Sequence, residues 1–327
     1  MNKPNTIPSA DSLGLNTAGI PPTVAAAFAP VSSLAQAEAY TRDLTHTHYE
    51  NFSVISIFVP KHLRQDFCNV YAFCRTADDL GDEVGDRALA TQYLADFRAQ
   101  THALYAGQTT TAVFTALAGT VKRHDIPIQP FLDLISAFEQ DQHTLRYETF
   151  DQVVDYCRRS ADPVGRLVLY MSGYRDEHRQ QLSDKTCTAL QLANFWQDVR
   201  RDILERDRIY IPQEDLRRFA VTEDDIRHGR ITQNFRDLMR FQVDRTQQLF
   251  NDGLALLPLL NHQIRPQISL FNRGGQAVLT AIRNQNYDTL TKRPRLSKML
   301  KARLMLRALV TITFSKLHIG GSGGVKK

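Results

Sequence analysis

The chain has 327 residues, 43% of them hydrophobic and 23% charged, with a net charge of +5. Its 17 Phe, 11 Tyr and single Trp recur throughout and exclude disorder for the chain as a whole. No run of about 20 uncharged apolar residues is present to span a bilayer, so the sequence predicts a soluble protein or one that only touches a membrane.

In chain order, residues 1–33 are rich in Pro, Ala, Ser, Asn and Thr and carry only Lys3 and Asp11 as charged side chains. They lack the basic start and apolar core of a secretory signal, so they read as a disordered leader with a short helical turn around Val24 to Phe28. From there the pattern is helical. Apolar residues recur at three- and four-residue spacing over 67–84, 88–105, 111–124, 128–140 and 150–172. The same period covers 183–206, 232–257, 263–287 and 298–316. Gly107, Pro127, Gly173, Pro212, Pro258 and Pro294 punctuate it. Alternating strand patterns are scarce. The expectation is one all-α domain of nine or ten helices over 34–318, followed by a flexible tail over 319–327. Cys68, Cys74, Cys157 and Cys187 form no CxxC pair and no metal-ligand spacing, which fits free thiols in a reducing cytoplasm.

Two acidic clusters carry the chemistry. In the helix predicted over 67–84, Tyr71, Arg75, Asp78 or Asp79, and Asp82 fall along one stripe. Carboxylates at i and i+4 repel, so such stacking asks for a compensating cation. An EF-hand is excluded, because the twelfth position counted from Asp78 is Leu89. In the helix predicted over 183–206, Gln191, Asn194, Asp198 and Asp202 again share one face. Two helices with the same Asp spacing, facing one another across a bundle, would form an anionic mouth for hard cations. Magnesium suits such a mouth, since it takes few carboxylates and keeps water or phosphate oxygens. Arg75, Arg201, Arg208 and Tyr210 lie close by in sequence as candidate diphosphate contacts.

These motifs resemble the trans-isoprenyl diphosphate synthases of the squalene/phytoene synthase family. The resemblance runs from about His46 to about Lys301 and rests on Asp78-x-x-x-Asp82, Asp198-x-x-x-Asp202, Arg208-Ile-Tyr210-Ile-Pro212 and the 150–165 stretch with Tyr156-Cys157-Arg158. It implies a terpenoid-synthase helical bundle around a central apolar cavity. It implies Mg2+ held by Asp78, Asp82, Asp198 and Asp202 with support from Gln191 and Asn194, and an isoprenoid diphosphate substrate.

Departures narrow the branch. The entry segment, usually His-Ser-Lys-Ser-Phe, reads His48-Tyr49-Glu50-Asn51-Phe52, with His48 kept as a diphosphate contact and Glu50 in the lysine's place. The Val-Ala-Gly-x-Val-Gly break reads Ser160-Ala161-Asp162-Pro163-Val164-Gly165, where Pro163 should kink the helix. Together with Phe195-Trp196-Gln197-Asp198-Val199-Arg200-Arg201-Asp202, these resemble the hopanoid-cluster branch known as HpnC. That implies conversion of presqualene diphosphate to hydroxysqualene, with Tyr71 and Asp162 beside the aspartates as catalytic candidates. Asp162, Ser160 and Tyr49 are the candidates for placing the quenching water. Phe52, Tyr71, Phe138, Tyr156, Phe195 and Trp196 are candidate cation stabilisers, although ordinary core is the commoner fate of such rings.

The stretch 292–307 holds seven cations and no acid, interleaved with leucines. It reads as a basic amphipathic helix over 292–309, either a last core helix with a solvated face or a peripheral contact with an anionic membrane on its inner side. It lacks the aromatic interleaving of a nucleic-acid footprint, so no nucleic acid is expected. The sequence carries no signal for oligomeric state.

Overall fold

The computed structural model describes residues 22–48 and 59–296. Most of the predicted leader, Tyr49 to Phe52 of the entry segment, the helix over 298–316 and the tail lie outside them. The helices are α1 (Pro22–Ala27), α2 (Leu34–His48), α3 (Arg64–Asp82), α4 (Arg87–Tyr105), α5 (Ala112–His124), α6 (Gln129–Gln140) and α7 (Phe150–Ser160). Then follow α8 (Asp162–Met171), α9 (Glu177–Arg206), α10 (Gln213–Arg218), α11 (Glu223–His228), α12 (Gln233–Gly253) and α13 (Arg265–Asn284). Among the described residues there is no strand, only isolated bridges between Pro30 and Thr111 and between Arg146 and Ile209. The fold is all-α.

Three expectations change. The leader boundary at residue 33 falls inside folded chain, because α1 is formed and Ala27, Phe28 and Ala29 are buried. The helix predicted over 150–172 is two helices that break at Ala161, two residues before Pro163, as the proline's missing N–H requires. Residues 292–296 are not helical, so the basic helix does not begin at Lys292.

Two compact units interleave along the chain. The first comprises 22–48, 60–144 and 166–174. Its centre is a cluster of rings: Phe73 lies 4.8 Å from Phe97 and 4.7 Å from Phe131, and Phe97 lies 4.8 Å from Phe114, all essentially inaccessible. Phe28 packs on the same cluster through Tyr93 and Phe97, which anchors the N-terminal segment. The C-terminal end of α3, which carries the first acidic cluster, is fixed by Gln142, whose Nε2 donates to the Gly81 carbonyl at 2.9 Å.

The second unit comprises Val59, 145–165 and 175–296. Its axis is α9, whose 30 residues span about 45 Å. Asp176 caps the start by accepting from the Arg179 N–H at 3.0 Å, and Asp207 closes the end in the left-handed region at φ 53°. α12 packs along α9, where the buried Trp196 donates to Thr246 Oγ1 at 2.8 Å. Gly253 permits close approach here: a Cβ would stand 2.2 Å from Thr186 Oγ1 and 3.1 Å from the Thr186 nitrogen.

Candidate active site

On α3 the acidic cluster splits into two kinds of carboxylate. Asp79 is 2% exposed and accepts an ion pair from Arg75, which also stands 3.6 Å from Asp78. Asp78 and Asp82 are only partly covered. The charge of Asp79 also reaches Tyr40 of α2, whose pKa is raised by burial first and by Asp79 second. Tyr71, half-buried one turn before Arg75, has its pKa raised mainly by burial, with Arg75 opposing. Within the sequence stripe, then, Asp79 orients the arginine, and Asp78 and Asp82 remain as the accessible pair.

On α9 the corresponding pair is asymmetric. Asp202 is 9% exposed, and its pKa is pushed up to about 7 by burial and then by the neighbouring Asp198, against the pull of Arg206, Arg201 and Arg208. Asp198 takes both arms of the Arg293 guanidinium, Nη2 donating to Oδ2 at 2.9 Å and Nε to Oδ1. Gln191 is half-buried and Asn194 is exposed. Arg201 pairs outward with Glu205 at 2.8 Å, both about half exposed. Arg208, by contrast, is buried at 7% exposure, and its backbone N–H donates to the Asp202 carbonyl at 3.1 Å.

Beside these groups stands an aromatic stack. The rings of Phe195 and Tyr210 lie parallel, 3.6 Å apart at 5°. Tyr147 stacks on Tyr210 at 5.7 Å, and Tyr156 lies 5.6 Å from Tyr210 and 6.1 Å from Phe195. All four are buried. Of the other aromatic candidates, Trp196 faces α12 and serves the core.

Asp162 lies buried at the start of α8. Its carboxylate, 3% exposed, accepts from Thr188 Oγ1 at 2.8 Å. Thr188 precedes Asp202 by 14 residues of the same continuous helix, about 21 Å of rise. Asp162 thus ties α8 to α9 at Thr188, well along the helix from Asp202. Burial, with the Asp162 charge second, raises the pKa of both the Cys157 and Cys187 thiols, the latter to about 12. All four cysteines are free, and these two are poor nucleophiles. His48 closes α2, and Tyr49 and Phe52 lie outside the described residues.

Residues 45–299 match the family described as Squalene/phytoene synthase. The chain belongs to the squalene/phytoene synthase family. A crystal structure of squalene synthase HpnC from Alicyclobacillus acidocaldarius is 47% identical, with a TM-score of 0.74, over 78% of this chain and 96% of that one. Phytoene synthase of Thermus thermophilus is 32% identical over 82% of this chain and 90% of its own length. The 15-cis-phytoene synthase of Synechococcus elongatus is 30% identical over 80% and 89%.

The family comprises head-to-head isoprenyl diphosphate synthases, enzymes that generally depend on divalent metal. Among the described residues no three His, Cys, Asp or Glu side chains form a ready metal-binding group. What each unit supplies is a carboxylate pair, with amide oxygens beside the second. These are hard donors that suit magnesium. The buried, proton-retaining Asp202 next to Asp198 is the arrangement a cation would relieve.

Sequence reasoning missed Tyr147 and Arg293 as site residues. Tyr147 lies in a loop without periodicity, and Arg293 was absorbed into the basic run. Among the described residues no helix is long and apolar enough to cross a membrane.

Proposed function

We propose that this enzyme converts presqualene diphosphate to hydroxysqualene, by departure of the diphosphate, rearrangement of the carbocation and capture by water. The observation that carries the reading is the 47% identity to squalene synthase HpnC, well above the 32% and 30% to the phytoene synthases. The sequence features that resemble the HpnC branch, Ser160 to Gly165 and Phe195 to Asp202, point the same way.

In this reading Asp78, Asp82, Asp198 and Asp202, with Gln191 and Asn194 in support, would hold magnesium, which would supply Lewis-acid neutralisation of the leaving diphosphate. Arg75, oriented by Asp79, and the buried Arg208 offer N–H groups to the same charge. His48, Arg201 and Tyr210 complete the proposed diphosphate contacts, Arg201 after release from Glu205. Because Phe195 and Tyr210 stack face to face, only the outer faces of the group Tyr147, Tyr156, Phe195 and Tyr210 are left as π-surface for the carbocation, each such face contributing about 0.5–2 kcal/mol. Burial of these rings keeps water from the cation until rearrangement is complete.

A head-to-head condensation of farnesyl or geranylgeranyl diphosphate is the second reading, favoured by the phytoene synthase relatives. A non-catalytic assembly role is disfavoured by retention of all four motif aspartates. Incubation with presqualene diphosphate and Mg2+, with and without NADPH, followed by mass analysis of the lipid, separates these readings. An alcohol formed regardless of NADPH is expected. Squalene formed only with NADPH, or presqualene diphosphate or phytoene made from the shorter diphosphates, overturns the assignment.

A further inference from the structure

Arg146 lies in neither aspartate motif, yet its guanidinium is fully engaged at the end of α9. Nε donates to Glu223 Oε1 at 2.9 Å, and Nη2 donates to Glu223 Oε2 at 2.9 Å and to Asp207 Oδ1 at 3.1 Å. Nη1 donates to the Leu145 carbonyl at 2.9 Å and to the Asp207 carbonyl. Asp207 also accepts from Arg227 at 2.8 Å, and Glu223 from Gln213 at 2.9 Å. Arg227 and then Arg146 hold the Asp207 carboxyl below the usual carboxylate range, and Arg146 does the same for Glu223.

What this clip fixes is a turn. Asp207 sits at φ 53°, a left-handed conformation that Asp tolerates better than most residues but does not prefer. It reverses the chain so that the Arg208 N–H meets the Asp202 carbonyl at 3.1 Å and the Ile209 N–H meets the Leu145 carbonyl at 3.0 Å. Three residues after Asp207, Tyr210 lies flat on Phe195. The fork of Arg146 thus grips both the side chain and the carbonyl of the residue whose turn brings the Arg208 N–H to the Asp202 carbonyl and leads into Tyr210 on Phe195.

We propose that Arg146 is a positioning residue for the diphosphate end of the site, clamping the Asp207 turn so that Arg208 and Tyr210 are presented beside Asp202. The proposal rests on the reading that Arg208 and Tyr210 meet the diphosphate. Asp207, Glu223 and Arg227 are 52%, 39% and 44% exposed, so solvent screens their ion pairs, and the melting temperature is read beside the functional measurements. A functional effect and a folding effect are therefore separable.

The test uses Arg146→Met, Arg146→Lys, Arg208→Gln and the double variant Arg146→Met/Arg208→Gln in the full chain. Three readouts apply: KM and kcat for the prenyl diphosphate, calorimetric affinity for inorganic pyrophosphate with Mg2+, and amide hydrogen exchange over 208–211. Arg146→Met is expected to raise KM and weaken pyrophosphate binding by about tenfold to a hundredfold, the usual range for residues that orient a ligand contact, with a smaller change in kcat. Exchange over 208–211 should quicken at nearly unchanged Tm. Lysine should not rescue, since one ammonium cannot replace the fork, and the double variant should be no worse than Arg208→Gln alone.

Unchanged exchange, unchanged affinity or additive losses overturn the proposal. Faster exchange in a protein whose wild type binds no Mg-pyrophosphate instead overturns the diphosphate reading and leaves the clamp standing. Should Arg146→Met not fold, Glu223→Gln is expected to give the same signature at smaller amplitude, and its failure to do so counts equally against the proposal.

Discussion

The first and second acidic motifs share one spacing and answer the same electrostatic problem differently. On α3 the compensating cation is local: Arg75 sits three residues before Asp78 and four before Asp79, and a buried Asp79 holds it in place. On α9 the compensation is distant. Arg293, 95 residues further along the chain, covers Asp198, while Asp202 relieves the remaining repulsion by holding its proton to about pH 7. A helix can pair charges within itself only at three- and four-residue spacing. Helix α9 also has arginines at those steps, Arg201 three residues after Asp198 and Arg206 four after Asp202, but Arg201 turns to Glu205, and burial of Asp202 beside Asp198 outweighs their pull.

The largest effect expected from breaking this contrast is loss of a motif carboxylate. Asp82→Asn, Asp198→Asn and Asp202→Asn should each lower kcat by about a hundredfold or more, the scale seen when a group opposing developing negative charge is removed. Diphosphate release measured at saturating Mg2+ checks this, and a variant with near-native turnover removes that residue from the site.

Next in size is Asp79→Asn, which removes the carboxylate that orients Arg75. A fall in kcat/KM of about tenfold is expected, as for other residues one step behind a ligand contact. The Mg2+ concentration for half-maximal activity should stay close to that of the wild type. A large shift in that midpoint would make Asp79 a ligand in its own right and erase the division of labour on α3.

Arg293→Ala sharpens the other side. The Asp198 pair is partly exposed, with the two side chains at 42% and 16%, so its loss should tighten Mg2+ binding in the absence of diphosphate by only a few-fold. Calorimetry without substrate measures it, and weaker Mg2+ binding would contradict competition at Asp198. The smallest effect is in pH. A carboxyl whose folded pKa is raised binds more protons in the native state than when unfolded, so its contribution to stability declines as pH rises from about 4 to about 7. In chelator the Tm should therefore decline over that window, and Asp202→Asn should flatten the decline. An identical slope in the variant would assign the proton elsewhere.

Much of this was legible in the linear pattern. The 3.6-residue period located the long helices to within a few residues, and Pro163 marked a break that the structure places at Ala161. The short α10 and α11 were missed because six residues show too little period, and α2 because its apolar positions are mostly alanines. Asp79 could not be told from Asp78, since adjacent residues differ by only 100° around a helix and packing decides which turns inward. Asp162 was expected near the chemistry on its sequence neighbourhood alone, and its place along α9 came only from its hydrogen bond to Thr188.

Local periodicity and charge spacing, then, determined by themselves that the chain is helical and that it carries two Asp-x-x-x-Asp faces, while the family resemblance rested on the motif residues themselves. Partners 61, 77 and 95 residues apart, Arg146 with Asp207 and Glu223 and Asp198 with Arg293, were decided by tertiary structure alone. The reason is physical: periodicity records which way a side chain leaves its own helix, whereas the charge it meets depends on how the chain returns.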